Sequence, residues 1–150
     1  MQQINKLRNL IKNIFIKKGL NLKHSKLCAN ALINAELVGA PSHGLSRLKM
    51  YCDRIEKKLI NNKPKIKIKK ISSSISHIDA NNSIGFVAAD LGIKTAIKHA
   101  KKTGIGMVAV KNSGHYGLSG YYAEQAVKKN LITMIYTNAP PAVAPHGALK

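Results

Sequence analysis

Apolar side chains recur at helical spacing through the first sixty residues of the chain. In the first segment they repeat every three or four positions, at Ile4, Leu7, Ile11, Ile14 and Phe15. This spacing predicts a helix from Ile4 to about Lys18, which Gly19 ends. The same pattern predicts two further helices, one from Lys23 to about Val38 and one from Gly44 to about Leu59.

The period changes from helical to alternating after residue 64. Lysine and isoleucine alternate over Lys65–Lys69, and a second short apolar and polar segment, Ile75–Ile78, follows three serines. The pattern predicts a hairpin with one solvated face, and lysines on its outer strand would discourage pairing with other sheets. The loop Asp79–Ser83 is expected to follow the hairpin.

Helices and strands alternate in the remainder of the chain. A helix is predicted from about Phe86 to Thr103, with Gly104 just past its end. An apolar strand, Ile105–Val110, then leads through a glycine-rich loop to a helix from about Ser119 to Lys129 and a second strand, Leu131–Tyr136. Strand, helix and strand form a βαβ pattern, so the predicted fold class is mixed α/β.

The chain has the length and composition of a globular domain. Its 150 residues are 45% hydrophobic, which provides for a buried core. We expect a helical segment over residues 1–60 followed by an α/β core over residues 61–150. No apolar run is long enough for a membrane span, and Cys28 and Cys52 lack metal-site spacing, so we expect a cytoplasmic protein without a bound metal.

A formal charge of +19, from 25 basic and 6 acidic residues, raises nucleic acid as a partner. Only three of the basic residues are arginines, Arg8, Arg47 and Arg54, and the lysines are spread along the whole chain. Sequence-specific nucleic-acid-binding proteins rely on the paired hydrogen bonds that arginine side chains donate, and no nucleic-acid-binding motif is present. A basic nucleic-acid-binding module stays as an alternative. Weak binding that shows no preference for sequence or structure and is lost near physiological salt would exclude it.

The segment Ala40–Leu48 holds the first candidate chemistry. Within the predicted third helix, His43, Arg47 and Tyr51 share one face, and Ser42 is a candidate N-cap. A separate apolar stripe holds Leu45, Leu48, Cys52, Ile55 and Leu59. A helix N-terminus favours anions and lowers the pKa of a nearby histidine, so a carboxylate could bind here. The alternative is a surface helix that happens to carry polar residues.

The loop Asn112–Gly117 places His115 between glycines, after a predicted strand. Ligands often bind at such loops, although a turn histidine bonded to backbone would give the same pattern. The glycines Gly114, Gly117 and Gly120 are spaced G-x-x-G-x-x-G, so they do not form the G-x-G-x-x-G fingerprint of a Rossmann dinucleotide site.

Six ordered segments form a combined signature: Gly39–Leu48, Tyr51, Asp53–Ile55, Asn112–Gly117, Gly120–Tyr122 and Thr137–Pro140. Together they resemble the malate/L-lactate dehydrogenase family that is unrelated to the Rossmann-type lactate and malate dehydrogenases and includes ureidoglycolate, sulfolactate and diketogulonate oxidoreductases. The resemblance implies hydride transfer between NAD or NADP and a 2-hydroxy or 2-oxo acid, in a homodimer with a non-Rossmann cofactor fold.

The resemblance also implies roles for single residues. His115, or else His43, would supply the proton; the loop position favours His115, with His43 polarising the carbonyl. Arg47 would clamp the substrate carboxylate through paired hydrogen bonds. The other implied contacts are Ser42 and Tyr51 with the substrate, and Asn138 and Ala139 with the cofactor.

Members of this family are considerably longer than 150 residues. The resemblance implies that most of their nucleotide-binding residues lie beyond the position of Lys150. We therefore expect the 150-residue chain alone to show negligible turnover and weak dinucleotide binding. The alternative to a working enzyme is a truncated, non-catalytic remnant of one.

Overall fold

A computed structural model of the chain describes residues 2–138 and 147. The described residues form five α-helices and three β-strands, and the mixed α/β fold class is confirmed. In chain order the elements are α1 (Gln2–Lys17), α2 (Leu22–Leu37), α3 (Leu48–Glu56), β1 (Lys67–Lys70), β2 (Ile75–Ser83), α4 (Gly85–Thr103), β3 (Met107–Ser113) and α5 (Ser119–Val127).

Helices α1 and α2 are joined by a short connection, and both begin and end close to the predicted residues. Gly19, at a φ of 89°, ends the first helix, and the Asn21 side chain caps the second by accepting the N–H of His24 at 2.8 Å. Ile11 and Phe15 of α1 are buried between the helices. Of the other apolar positions that predicted α1, Ile4 and Ile14 are half-buried and Leu7 is exposed.

The predicted third helix is wrong at its start. The chain instead makes two single turns of 3-10 helix, Pro41–His43 and Leu45–Arg47, before α3 begins at Leu48. The Leu45 N–H donates to the Glu36 carboxylate at 2.6 Å, which fixes the break between the two turns. Because α3 already ends at Glu56, Leu59 of the predicted apolar stripe is 65% exposed.

The three strands form one sheet in the order β1, β2, β3. β1 runs antiparallel to β2, with Lys67 opposite Asp79, so the predicted hairpin is confirmed and its lysine-rich strand lies at an edge. The predicted loop Asp79–Ser83 is wrong, because β2 continues through it to Ser83. Asn81 and Asn82 take left-handed φ values of 51° and 55° there, which asparagine tolerates, and they produce a bulge in the pairing with β3.

The βαβ unit lies one element earlier in the chain than predicted. β2 and β3 are parallel, with Ile75 opposite Met107, and α4 connects them. Gly104 ends α4 at a φ of 82°, as expected. The predicted strand Leu131–Tyr136 is wrong, because the structure has no regular element there and its alternate apolar side chains are exposed.

One hydrophobic cluster joins the helical segment to the start of α4. It contains Phe15 of α1, Leu32 of α2 and Tyr51 of α3 together with Ile84 and Phe86. The rings of Tyr51 and Phe86 are tilted against each other with centroids 4.8 Å apart. This packing places α3 beside the loop that follows β3.

The described residues contain neither a membrane-spanning helix nor a cluster of metal ligands. No helix between residues 2 and 138 is long and apolar enough to cross a membrane. Within the same range, no three histidine, cysteine or carboxylate side chains are grouped so that they could hold a metal ion.

Candidate active site

His115 lies in the loop between β3 and α5, which packs against the start of α4. A Cβ atom on Gly85 would overlap the carbonyl oxygens of Gly114 and His115. A Cβ on Gly117, whose φ is 79°, would overlap the Phe86 ring. Both glycines thus allow the loop to approach the buried end of α4 closely.

Tyr51 reaches His115 from inside the protein. Its side chain is only 1% exposed, and its hydroxyl oxygen lies 2.6 Å from Nδ1 of His115. The Gly117 backbone N–H donates to the same nitrogen at 3.2 Å. The phenol that the sequence placed on a polar helix face is therefore buried and engaged with the loop histidine.

His43 stacks on His115 from the 3-10 turn before α3. The two ring centroids are 5.7 Å apart and the ring planes differ by 23°. The Ser42 hydroxyl lies 3.0 Å from Nδ1 of His43. Ser42 was expected to cap the third helix, and this is wrong: α3 has no side-chain cap, and the hydroxyl contacts the histidine instead.

Arg47 ends the second 3-10 turn and is exposed. Its Nε donates to the Ser42 carbonyl at 2.8 Å, which ties the base of the guanidinium to the turn that carries His43. Within residues 2–138, no hydrogen bond or ion pair engages its two terminal nitrogens. They remain available for an anion with two oxygens.

The surroundings keep both His115 and Tyr51 neutral at pH 7. Partial burial lowers the pKa of His115, and the electrostatic influence of the neighbouring His43, Arg47 and Arg54 lowers it further. Burial raises the pKa of Tyr51 above its usual value of 10. Tyr51 is therefore a phenol and His115 a neutral imidazole.

Of the two expected cofactor residues, the structure describes only Asn138, which has no hydrogen bond to either histidine. Asn138 is exposed, and its recorded contact is the Thr137 hydroxyl, which donates to its carbonyl at 3.3 Å. Ala139 lies outside the described residues. Gly117 does not offer an open backbone to a phosphate, since its open side is filled by Phe86.

Sequence reasoning missed three residues that build the site. Glu36 holds the turn after His43, while Gly85 and Phe86 receive the His115 loop. Gly85 stands directly before the predicted helix, where a glycine signals a close approach. No pattern in the sequence around Glu36 indicated its role, because its contact with the Leu45 N–H depends on where the chain turns nine residues later.

These features bring two stacked histidines, a buried phenol and the exposed Arg47 side chain together. The chain belongs to the malate/L-lactate dehydrogenase family, whose model matches residues 2–150.

Individual proteins that the chain resembles are dehydrogenases by name. The chain is 39% identical over 140 residues to a malate/(S)-sulfolactate dehydrogenase of Methanothermus fervidus, covering 93% of this chain and 41% of that protein. It is 33% identical over 144 residues to an NAD(+)-dependent ureidoglycolate dehydrogenase of Escherichia coli, covering 96% and 41%. Its fold matches the malate dehydrogenase structure from Pyrococcus horikoshii with a TM-score of 0.82 and 39% identity, covering 84% and 36%. The chain thus spans about two fifths of the length of these relatives.

Proposed function

We propose that this chain forms the substrate and proton-transfer side of an NAD- or NADP-dependent dehydrogenase for 2-hydroxy and 2-oxo acids such as malate or L-lactate. The observation that carries the proposal is the pair of stacked histidines beside the two unengaged terminal nitrogens of Arg47. The family and the names of the relatives support the cofactor and the substrate class.

Each part of the site has a task in the reduction of a 2-oxo acid. The substrate carboxylate needs a cation, and the planar fork of Arg47 can meet both of its oxygens. The carbonyl oxygen needs a hydrogen-bond donor and a proton, which His43 and His115 can supply between them. A bound nicotinamide cofactor supplies the hydride.

The remaining residues have supporting roles in the proposal. Ser42 holds His43 at its Nδ1 and lies at the exposed mouth of the site, where it can also contact substrate. Tyr51 contributes through His115. By family resemblance, Asn138 and Ala139 contact the cofactor.

We also propose that residues 1–60 are the substrate-side segment and residues 61–150 part of the catalytic core, in a homodimer that works in the cytoplasm. Cys28 and Cys52 are free thiols, as expected in a reducing compartment. The exposed apolar row at Ile132, Met134 and Tyr136 supports an interface.

Arg47→Lys tests the carboxylate clamp. Lysine keeps the charge but loses the fork, so we expect kcat/KM for 2-oxo acids to fall about 10-fold or more, roughly 1.4 kcal/mol at the transition state. Turnover would be measured at the nicotinamide absorbance on a protein of full family length that contains this chain, using malate, lactate, sulfolactate and ureidoglycolate with their oxidised counterparts.

Arg8→Lys is the matched control, since Arg8 bonds to Asn5 on α1 and should leave kcat/KM unchanged. An Arg47→Lys enzyme with normal kcat/KM would remove the clamp from the proposal. Failure of that full-length protein to turn over any 2-oxo or 2-hydroxy acid with either cofactor would overturn the function itself.

A further inference from the structure

Two neighbours of His115 meet the same ring nitrogen. The Tyr51 hydroxyl lies 2.6 Å from Nδ1, and the Gly117 backbone N–H donates to it at 3.2 Å. A backbone N–H has no lone pair and can only donate, so Nδ1 is an acceptor. The Tyr51 hydroxyl, which can donate or accept, must then donate to it as well.

A neutral imidazole carries one proton, and here that proton is on Nε2. Within residues 2–138, Nε2 has no recorded hydrogen-bond partner, and His115 is exposed. Resting on the proposed function, we propose that Tyr51 is a positioning residue which, with the Gly117 N–H, locks His115 as the Nε2–H tautomer. His115 then serves the substrate oxygen as a fixed hydrogen-bond donor.

The charges around the ring favour the same state. Burial lowers the pKa of His115, and the neighbouring His43, Arg47 and Arg54 oppose a second proton on the ring. Burial also raises the pKa of Tyr51, so its hydroxyl keeps the proton that it donates. The locked tautomer therefore persists through neutral pH.

His43 has no such lock. Its Nδ1 faces the Ser42 hydroxyl at 3.0 Å, and a hydroxyl can donate or accept, so His43 tolerates either protonation state. In reduction, a bound reduced nicotinamide cofactor would supply the hydride to the substrate carbon, and the substrate oxygen, held by His115, would take the Nε2 proton of a protonated His43. The products would be an alcohol, the oxidised cofactor and a neutral His43. His43 is then the proton donor and His115 the hydrogen-bond donor, which is the reverse of the roles that the loop position of His115 favours.

Tyr51→Phe tests the lock, because it removes the hydroxyl and keeps the ring that packs on Phe86. Nitrogen NMR of the full chain labelled at histidine, with His115→Gln to assign the signals, reports which ring nitrogen carries the proton. In the unsubstituted protein we expect His115 to be protonated at Nε2 alone. In Tyr51→Phe we expect a mixture of tautomers, a raised His115 pKa, and kcat/KM about 10-fold lower at neutral pH.

Tyr122→Phe is the matched control. Tyr122 is also 1% exposed and donates its hydroxyl to the Tyr116 carbonyl at 2.7 Å, so its loss costs a similar buried bond without touching His115. We expect this variant to leave the His115 signals and pKa unchanged.

A proton on Nδ1 in the unsubstituted protein, or unchanged His115 signals in Tyr51→Phe, would overturn the lock. The ring spectra need no substrate, so they decide the lock even if no 2-oxo acid is turned over. A lack of turnover with every 2-oxo acid would overturn the proposed function and leave the lock standing.

Discussion

Glu36 supports the active site from a helix that contributes no group to the chemistry. Its carboxylate accepts the Leu45 N–H at 2.6 Å and occupies the space beside Gly44, where a Cβ atom would overlap it. The two residues fit only as a pair. His43, next to Gly44, depends on this turn for its position against His115.

Glu36→Ala should therefore lower both stability and activity. The Leu45 N–H would lose a charged acceptor, which costs about 1.5–3 kcal/mol of unfolding free energy. Glu36→Gln keeps an acceptor oxygen and should lose less. Urea denaturation and kcat/KM measure the two effects.

Glu56→Ala is the comparison for this variant. Glu56 pairs with Lys18 at the surface, and such pairs contribute at most about 1 kcal/mol. If Glu36→Ala were as stable and active as Glu56→Ala, the turn would not depend on the carboxylate.

Helix α4 positions the His115 loop through its first residues. Gly85 is buried directly beneath the carbonyl groups of Gly114 and His115. Gly85→Ala should push the loop away, at a cost of about 1–3 kcal/mol in unfolding free energy and a larger relative loss of kcat/KM. Thermal unfolding and steady-state kinetics would show the two losses together.

Gly92→Ala is a control on the same helix. Its added Cβ would meet Val110 at an ordinary contact distance of 3.4 Å, and alanine favours a helix interior by about 1 kcal/mol over glycine. We expect this variant to be at least as stable as the unsubstituted protein, with unchanged kinetics. Equal behaviour of the two variants would contradict the role assigned to Gly85.

Sequence patterns predicted the helices and strands whose bounds depend on interactions between residues close together in the chain. Helix α1 follows its apolar spacing, α4 ends at Gly104, and the lysine-rich hairpin follows from alternation. The start of α3 was missed because the Glu36 contact, a tertiary interaction, breaks a segment that reads as one continuous helix.

The same limit applies to the site. His43, Arg47 and His115 stood out in the sequence, because glycines and a histidine–arginine spacing are local signals. The buried Tyr51 hydroxyl and its bond to His115 could not be read there, since they join residues 64 positions apart.

The largest exposed apolar row of the described chain lies after α5. Ile132, Met134 and Tyr136 are 95%, 75% and 84% exposed and alternate with half-buried neighbours. We expect the double variant Ile132→Lys and Met134→Lys to weaken the proposed dimer at least 10-fold, because burying either lysine is costly. Sedimentation of the full chain would measure this.

Leu59→Lys serves as its control, since Leu59 is 65% exposed but lies away from this row in sequence, after α3. It should leave the association unchanged. A dimer that persists in the double variant would place the interface elsewhere.

The cluster that joins α1 and α2 to Phe86 also has a consequence during synthesis. Its helical part is complete at Leu37, but Phe86 and Val87 are translated about 50 residues later, which takes about 3–10 seconds at typical ribosome speeds. Through that interval the nascent helices expose the part of the cluster that Phe86 and Val87 later cover. Translation pauses between residues 38 and 87 would prolong this exposure.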